Sequence, residues 1–441
     1  MDRAVSAAHT AFSTGPWSTL NATQRGALLR KFGDLVARDA QRLSEVEVRD
    51  NGKLLTEMRG QLDYIPQWFY YYGGLADKIE GAVPPVDKKD LFNFTRHEAL
   101  GVVVAITPWK SPLLLTAWKI APALAAGCTV VIKPSEFTSA LVLELVKLFE
   151  EADFPPGVVN VVTGFGKDVG AALVEHPLVR KITFTGSDTT GRVINELAAK
   201  HLKRVSLELG GKSPNIVFAD ANLDDAVNGA ASAIFGSTGQ TCIGGSRLLV
   251  QEDIHDEFVA RLIALTQTAQ MGDPMDAKTH LGPVTTRQQY AKVLSYIEIA
   301  KQGGATLLTG GGAATQAACG KGWFIEPTIF SDVKNSMRIA QEEVFGPSCP
   351  SSSSSMKTTR WPSPTIPVLA SVRPSGLPTW GVRFACLNAF RRARSGSTPT
   401  GPAASWCPLA VSRIRVWGGR TAWTRSVNFC KSRVCGSTLE P

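Results

Sequence analysis

Apolar positions in the N-terminal part of the chain recur at helical spacing. The segment QRGALLRKFGDLVARDAQRL (24–43) places its apolar side chains on one helical face. Asn51-Gly52 interrupts this pattern, because such a pair is typical of turns. The later segment LFNFTRHEAL (91–100) is predicted to be extended. The pattern therefore predicts helices over residues 1–80, followed by an extended segment.

Short apolar runs alternate with amphipathic helical patterns from Gly101 onwards. The predicted strands are GVVVAITP, TVVIKP, GVVNVVTG and KITFTG. The predicted helices are LLTAWKIAPALAAG, SALVLELVKLFEEA, AALVEHP and TTGRVINELAAKHL. Such strand–helix alternation predicts a doubly wound parallel sheet.

The sequence after Gly210 repeats the mixed pattern. It contains the predicted helix LDDAVNGAASAIFG, the strand SRLLVQ and the helix HDEFVARLIALTQTA. A length of 441 residues also exceeds one ordinary domain. We therefore predict a second α/β domain, and the predicted fold class of the chain is α/β.

The charge of the chain changes character at Pro347. The formal net charge is +9, from 47 Lys/Arg and 38 Asp/Glu. Residues 348–441 hold 13 of these bases and one acid, Glu440, which leaves 34 bases and 37 acids in residues 1–347. The first 347 residues therefore lack the charge pattern typical of nucleic-acid binding.

Membrane and secretion signals are not found in the sequence. No apolar run reaches the roughly 18 residues of a membrane span, and MDRAVSAAHT lacks the apolar region of a signal peptide. We therefore predict a cytoplasmic protein with no membrane partner. Residues 1–347 contain only Cys128, Cys242 and Cys319. Their scattered positions indicate reduced thiols, with neither a disulfide framework nor a zinc site.

Glycines follow a predicted strand in FTGSDTTGR (184–192). Gly186, Ser187 and Gly191 lie between that strand and the next helix, where the backbone N–H groups of a helix N-terminus suit a pyrophosphate. The alternative is a purely steric role for these glycines. GFGKDVG (164–170) lacks the glycine spacing of a dinucleotide fingerprint and is interpreted as a turn.

A lysine and a carboxylate follow the predicted strand TVVIKP. Lys133 and Glu136 lie just past its carboxyl end, where open α/β sheets bind ligands. A carboxylate at this position can bind both hydroxyls of a ribose and repels a 2′-phosphate. The alternative is a capped helix start with solvated charges.

Cys242 and Glu208 are candidates for a nucleophile and a general base. Cys242 follows a polar, glycine-flanked turn in GQTCIGGSR, and its thiol needs backbone dipoles or cations to become a thiolate. Glu208 lies in the apolar strand of LELGGKSP, which is expected to raise its pKa towards that of a general base. The alternatives are a buried structural cysteine and an edge-strand glutamate paired with a lysine.

Seven motifs together resemble the aldehyde dehydrogenase superfamily in order and spacing. They are TPWKSPLL, IKPSE, FTGS, LELGGKSP, GQTC, GGSR and EEVFGP, and the resemblance covers roughly residues 1–347. It implies a Rossmann-type cofactor domain and a second α/β catalytic domain. The implied reaction is the NAD(P)-dependent oxidation of an aldehyde to the carboxylic acid. Glu136 favours NAD, with NADP as the alternative.

The resemblance implies a role for each matching residue. Cys242 would add to the aldehyde, the thiohemiacetal would pass hydride to the nicotinamide, and Glu208 would activate water to hydrolyse the thioester. Lys119 matches a lysine proposed as a proton relay. The implied cofactor contacts are Trp109, Lys133, Ser135, Glu136, Gly186, Ser187, Gly191, Leu209, Gly210, Glu343 and Phe345.

Lys110 departs from the family pattern, which has asparagine at this position. In the family, the asparagine amide and the backbone N–H of the nucleophile form the oxyanion hole. Loss of one such donor typically lowers turnover roughly 100- to 1000-fold. Because asparagine and lysine codons differ at one base, a point mutation or sequencing error is the simplest account.

The resemblance also implies domain limits. The cofactor domain would comprise 1–80 and 100–210, the bridging strands 81–99, and a truncated catalytic domain 211–347. Relatives have a few dozen residues before the helix that begins at DRAVSAAHTAF, and they form homodimers or homotetramers. Their closing segment pairs with a neighbouring subunit's bridging strand, here LFNFTRHEAL. Without that segment, we expect this strand to keep an unpaired edge.

Residues 348–441 do not resemble the family as they stand. The DNA that encodes them would give family-like segments if it were read one base out of step. The genetic code forces some results: Met356-Lys357 then encodes glutamate, Trp423-Thr424 aspartate and Trp417-Gly418 glycine. The residues after Pro347 can likewise encode an acidic family segment. We therefore expect a lost or misread base near the Pro347 codon and a disordered tail.

Three hypotheses of function follow from the sequence. The first is a working aldehyde dehydrogenase, whose small-molecule partner is an aldehyde. The second is a catalytically inactive product of a frame-shifted aldehyde dehydrogenase gene. The third and remotest is a basic tail that binds nucleic acid through its arginines and tryptophans.

Overall fold

The computed structural model describes residues 1–87, 91–320, 322–354, 369–370, 411–412 and 430–438. The chain divides into two units between Leu209 and Gly210. Unit 1 comprises residues 1–209 and 420–441, and unit 2 comprises residues 210–419.

Unit 1 begins with the predicted helices. They are α1 (Asp2–Ser13), α2 (Pro16–Thr19), α3 (Ala22–Arg38), α4 (Ala40–Asn51) and α5 (Leu55–Leu75). Asn21 and Gln24 form a capping box at the start of α3. Gly52 ends α4 with a φ of 76°, as the Asn51-Gly52 pair predicts. A strand, β1 (Leu91–Ala99), follows in the segment predicted to be extended.

A five-stranded parallel sheet forms the centre of unit 1. Its strands are β2 (Val102–Ile106), β3 (Thr129–Lys133), β4 (Val159–Val161), β5 (Val179–Gly186) and β6 (Arg204–Leu209). The helices between them are α6 (Pro112–Ala125), α7 (Ala140–Glu151), α8 (Ala171–Glu175) and α9 (Asp188–Ala199). GFGKDVG forms one π-helical turn that leads into α8. The predicted doubly wound sheet is confirmed.

The strand order of this sheet is β4-β3-β2-β5-β6. The chain therefore reverses direction across the sheet between β2 and β5. Open α/β sheets bind ligands outside the carboxyl ends of the strands at such a switch point. Strands β2 and β3 are buried at every position, which explains their continuous apolar sequences.

Unit 2 contains a second α/β sheet. Its strands are β7 (Pro214–Val217), β8 (Arg247–Gln251), β9 (Thr306–Thr309), β10 (Thr328–Ser331) and β11 (Ser348–Ser354), in the order β7-β8-β11-β10-β9. Its helices are α10 (Leu223–Phe235), α11 (His255–Gln267), α12 (Arg287–Gln302) and α13 (Arg338–Gln341). Strand β9 is antiparallel to β10, and the other neighbours are parallel.

The middle strand of this sheet lies beyond Pro347. Strand β11 has the sequence SCPSSSS and pairs with β10 on one side and β8 on the other. The first residues of the predicted disordered tail are therefore strand. Two short strands, β12 (Leu369–Ala370) and β13 (Val411–Ser412), pair with each other. Most of the predicted tail lies outside the described residues.

Strand β1 has a partner within its own chain. It pairs antiparallel with β14 (Cys430–Thr438), from Leu91 opposite Thr438 to Ala99 opposite Cys430. Thr95 also bridges to Ala82 on its other side. The expectation of an edge left unpaired by the altered tail is therefore wrong in this structure. In the described part of the chain, no helix is both long and apolar enough to cross a membrane.

Candidate active site

The carboxyl end of β3 carries a lysine–glutamate pair. Lys133 is the last residue of the strand and is buried, and its Nζ lies 3.2 Å from Glu136 Oε2. Ser135 is buried between them, and its Oγ accepts a hydrogen bond from the Phe137 N–H at 3.3 Å. The pair therefore lies at the carboxyl ends of the strands, as predicted from the sequence, and Glu136 is exposed.

The glycines after β5 have both a steric and a positioning role. A Cβ on Gly186 would lie 2.3 Å from Phe184 Cζ, and a Cβ on Gly191 would lie 2.7 Å from Leu209 Cδ2. Ser187 is the N-cap of α9, and its Oγ accepts a hydrogen bond from the Thr190 N–H at 3.2 Å. Ser187 is exposed, so the positive end of the α9 dipole faces solvent and can hold an anion.

The turn between β2 and α6 carries Trp109 and Lys110. Trp109 is half-buried and Lys110 is buried, with 7% of its surface exposed. Further along α6, the buried Lys119 Nζ donates a hydrogen bond to Thr185 Oγ1 on β5 at 2.6 Å. This contact fixes Lys119 at the junction between α6 and the strand that leads into Gly186.

Glu208 is the penultimate residue of β6, which is the edge strand of its sheet. The side chain is exposed, so the apolar enclosure expected from LELGGKSP is not found. Among the described residues, no ion pair includes Glu208. The sequence argument was wrong because alternate residues of an edge strand point to solvent even when their neighbours are apolar.

Cys242 lies in a turn of unit 2 that is held on both sides. Ser237, Thr238 and Gly239 all have a positive φ, between 54° and 68°. A Cβ on Gly239 would lie 2.1 Å from the Gly346 carbonyl oxygen, so only glycine fits there. The buried Gln240 accepts a hydrogen bond from the Thr285 N–H at 2.9 Å through its Oε1. Cys242 itself is half-buried and forms no disulfide.

Glu343 and Phe345 belong to a second turn of unit 2. Glu343 Oε1 accepts a hydrogen bond from the Gly211 N–H at 3.3 Å, and a Cβ on Gly210 would lie 2.0 Å from Glu343 Oε2. Phe345 has a φ of 63°. The motifs around Gly210, Cys242 and Glu343 are therefore in contact with one another within unit 2.

Sequence reasoning missed two side chains beside this turn, Gln289 and Lys212. Gln289 Nε2 donates hydrogen bonds to the carbonyl oxygens of Val344 and Phe345, at 2.7 and 2.9 Å. Lys212 is buried, and burial lowers its pKa to about 7. The sequence offered a signal for Lys212, because it is the charged residue of the motif GGKSP. Nothing in the local sequence distinguishes Gln289.

The residues at the unit 1 crevice fit a dinucleotide. The exposed N-terminus of α9 suits a diphosphate, and the Glu136 carboxylate suits vicinal hydroxyls of a ribose. Gly186 and Gly191 have no room for a side chain, because a Cβ would collide with Phe184 and Leu209.

Comparisons with known proteins agree with this arrangement. The Aldehyde dehydrogenase family matches residues 1–351. Human mitochondrial aldehyde dehydrogenase is 49% identical over 350 residues, covering 79% of this chain and 67% of the relative. An Acinetobacter baylyi relative, (Z)-2-((N-methylformamido)methylene)-5-hydroxybutyrolactone dehydrogenase, is 48% identical over 349 residues, covering 79% and 70%. The chain thus spans about two thirds of the length of these relatives.

Solved structures give the same result. A putative aldehyde dehydrogenase from Burkholderia cenocepacia has a TM-score of 0.86 at 37% identity, covering 100% of this chain and 89% of that one. PnpE in complex with nicotinamide adenine dinucleotide has a TM-score of 0.85 at 39% identity, covering 100% and 90%. The NAD+ complex of the Bacillus cereus enzyme has a TM-score of 0.86 at 34% identity, covering 100% and 89%. The chain therefore belongs to the aldehyde dehydrogenase family and is, by family, an NAD(P)-dependent enzyme.

Proposed function

We propose that Cys242 is the nucleophile in the oxidation of an aldehyde to a carboxylic acid. The observation that carries this proposal is the conformation and packing of the turn that precedes Cys242. Three left-handed residues precede it, and Gly239 packs against the Gly346 backbone, so a half-buried thiol is held on a rigid turn. A catalytic thiol requires this combination of accessibility and fixed direction.

In the proposed mechanism, Cys242 Sγ attacks the carbonyl carbon to form a thiohemiacetal. When bound, NAD(P)+ would supply the acceptor for the hydride that leaves this adduct as it becomes a thioester. Glu208 then accepts a proton from the water that attacks the thioester, which releases the acid and the Cys242 thiol. The exposed position of Glu208 suits this role, because its carboxylate is accessible to water.

The proposed cofactor contacts favour NAD. Lys133 and Glu136 would hold the adenosine ribose, and Ser187 at the α9 N-terminus would hold the pyrophosphate. The carboxylate of Glu136 would repel a 2′-phosphate, which disfavours NADP. Trp109 and Phe345 would line the cofactor cleft, and Glu343 would bind the nicotinamide ribose.

The test is the absorbance of reduced cofactor after the purified chain is mixed with NAD and a simple aldehyde. Cys242→Ser is expected to remove any turnover. Cys319→Ser is the matched control, because Cys319 is a buried thiol of the same unit. Turnover that survives Cys242→Ser would disprove the proposed nucleophile.

The second candidate is an inactive product of a frame-shifted gene, and one observation favours it. The middle strand β11 has the sequence SCPSSSS, although each of Ser348, Cys349, Pro350 and Ser351 is buried. Proline is normally confined to sheet edges because it cannot donate to the ladder. The Ser348 hydroxyl is buried without a hydrogen-bond partner among the described residues. A strand that evolved for this place would be apolar.

Sequencing the genomic DNA across the Pro347 codon tests this candidate directly. We expect the genomic DNA to contain one additional base near this codon. That base would put the family-like reading frame of the tail in phase with the codons for residues 1–347. A gene that is intact in the present frame would contradict it. The aldehyde, the proposed homodimer or homotetramer and the cytoplasmic location stay predictions.

A further inference from the structure

A chain of buried polar side chains runs beneath the turn that carries Trp109 and Lys110. Lys53 Nζ donates a hydrogen bond to Ser111 Oγ at 3.0 Å, and both residues are buried. The Lys53 N–H donates to Asn51 Oδ1 at 2.9 Å. Asn51 Nδ2 in turn donates to Glu47 Oε1 at 3.4 Å. The turn is thus connected to helix α4 through polar contacts inside unit 1.

Ser111 is the strained residue of this turn. Its φ of 44° and ψ of 55° are left-handed, which is costly for a residue with a Cβ. Ser111 is the N-cap of α6, yet its hydroxyl caps no backbone N–H of that helix. The hydroxyl instead accepts the bond from Lys53. This use of the side chain indicates that the surroundings impose the left-handed conformation.

Glu47 is the buried acid at the other end of this chain of contacts. It is fully buried, and its Oε2 has no hydrogen-bond partner among the described residues. Burial raises the pKa of Glu47 to about 8, while the charge of Lys53 opposes this shift and the charge of Asp50 adds to it. At neutral pH Glu47 is therefore mostly protonated, and it acts on Lys53 through the hydrogen bond that its Oε1 accepts from Asn51 rather than as an anion.

We propose that Glu47 and Lys53 are positioning residues for the active site, which act by holding Ser111 in its left-handed conformation. They thereby fix the direction of Trp109 and Lys110, and Glu47 and Lys53 are themselves buried. The inference rests on the proposed function, since the turn affects catalysis only if Trp109 and Lys110 contribute to the site.

The first test is amide hydrogen exchange of the peptide that spans residues 107–114, measured in the full chain. Lys53→Met is expected to accelerate exchange at this peptide roughly five- to tenfold, as for the loss of one buried hydrogen bond. The matched control is Lys181→Met. Lys181 is also a buried lysine of unit 1, and its Nζ donates to Ser206 Oγ at 2.8 Å, away from the turn. This control should leave the peptide unchanged.

Two further variants separate positioning from general stability. Ser111→Gly removes the hydroxyl but adopts the left-handed conformation without strain, so Lys53→Met should accelerate exchange less in that background. Glu47→Ala, which removes the acceptor for Asn51, should accelerate exchange in the same peptide, and it serves as the primary variant if Lys53→Met does not fold. Lys53→Arg, which keeps a cationic donor, should restore part of the protection.

The inference is overturned if Lys53→Met and Glu47→Ala leave the exchange of this peptide unchanged. It is also overturned if Lys181→Met accelerates exchange as strongly. Turnover with NAD and aldehyde is read separately. Where turnover is present, Lys53→Met should lower kcat with little change in KM for the aldehyde. Absence of turnover in a chain with a restored reading frame and Lys110→Asn would count against the proposed function, while the exchange experiment would still decide the positioning role.

Discussion

The middle strands of the two sheets differ in how well their sequences suit their positions. In unit 1, β2 has the sequence VVVAI and is buried at every position. In unit 2, β11 occupies an equally central position with SCPSSSS. The first strand agrees with its environment at every residue, whereas the second contradicts it. Agreement between local sequence and fold is what gives a chain one stable structure, so we expect the two units to differ in stability.

The contradictions in β11 have identifiable costs. Pro350 cannot donate to the sheet. The unpartnered hydroxyl of Ser348 costs about 1–3 kcal/mol. Ser351 avoids this cost by donating to the Phe330 carbonyl oxygen at 2.8 Å. The buried Ser348 and Ser351 also lack the apolar burial that a valine would provide, about 1.5–3 kcal/mol per fully buried side chain.

The largest expected effect is that of restoring the reading frame. Inserting one base near the Pro347 codon should replace β11 by an apolar strand and stabilise unit 2 by several kcal/mol. For a unit of this size, that corresponds to a rise in its Tm of about 10 °C or more. Differential scanning calorimetry measures it. The same insertion also replaces β14 of unit 1, so the unit 2 transition is compared directly between the two chains. An unchanged unit 2 transition would contradict the frame-shift account.

The second largest effect is expected at Lys110. In the frame-restored chain, Lys110→Asn supplies an amide where the family has its oxyanion donor. We expect kcat to rise roughly 100- to 1000-fold, measured by NAD reduction. Lys110→Met is the control for simple loss of the ammonium and should not give this gain. Equal rates with lysine and asparagine would show that Lys110 is not at the oxyanion.

Single substitutions sharpen the comparison of the two strands. Val104 in β2 is fully buried, and Val104→Ser should destabilise unit 1 by about 2 kcal/mol or more. Ser348→Val in β11 should stabilise unit 2 by about 1–3 kcal/mol, because it removes a buried unpartnered hydroxyl. Denaturant unfolding of each variant measures both. Destabilisation by Ser348→Val would mean that serine suits this position of β11 better than valine does.

The smallest expected effects concern pH, and they have opposite signs in the two units. The pKa of Glu47 rises from 4.5 to about 8, so the folded state holds the extra proton, and unit 1 loses stability as pH rises from about 4.5 to 8. The pKa of Lys212 falls from 10.5 to about 7, so the unfolded state holds the extra proton, and unit 2 gains stability as pH rises from about 7 to 10.5. Unfolding in urea at several pH values tests both slopes, which Glu47→Gln and Lys212→Met should flatten.

Much of unit 1 could be predicted because its signals are local. Helical spacing identified α3, and continuous apolar runs identified β2 and β3. The position of Lys133 at a strand end followed from the same pattern. Contacts between distant segments could not be predicted in this way: the pairing of β1 with β14, the Lys119–Thr185 bond and the support from Gln289 depend on tertiary structure.

The error at Glu208 has the same origin. Apolar neighbours predicted an enclosed carboxyl group, but the position of β6 at the sheet edge decides its exposure. Strand β11 is the opposite case, because nothing in the sequence SCPSSSS predicts a strand. The segment is extended because it pairs with its neighbours β8 and β10. The family resemblance implied one site for the residues around Gly210, Cys242 and Glu343, and their motifs are in contact within unit 2.

The most direct test of this account compares NAD reduction by two chains that both carry Lys110→Asn. One has the present residues 348–441, and the other is frame-restored. The frame-restored chain is expected to oxidise a simple aldehyde and to lose that activity with Cys242→Ser, while the present chain should show little or no turnover. Equal turnover by the two chains would contradict the claim that the residues after Pro347 limit the enzyme.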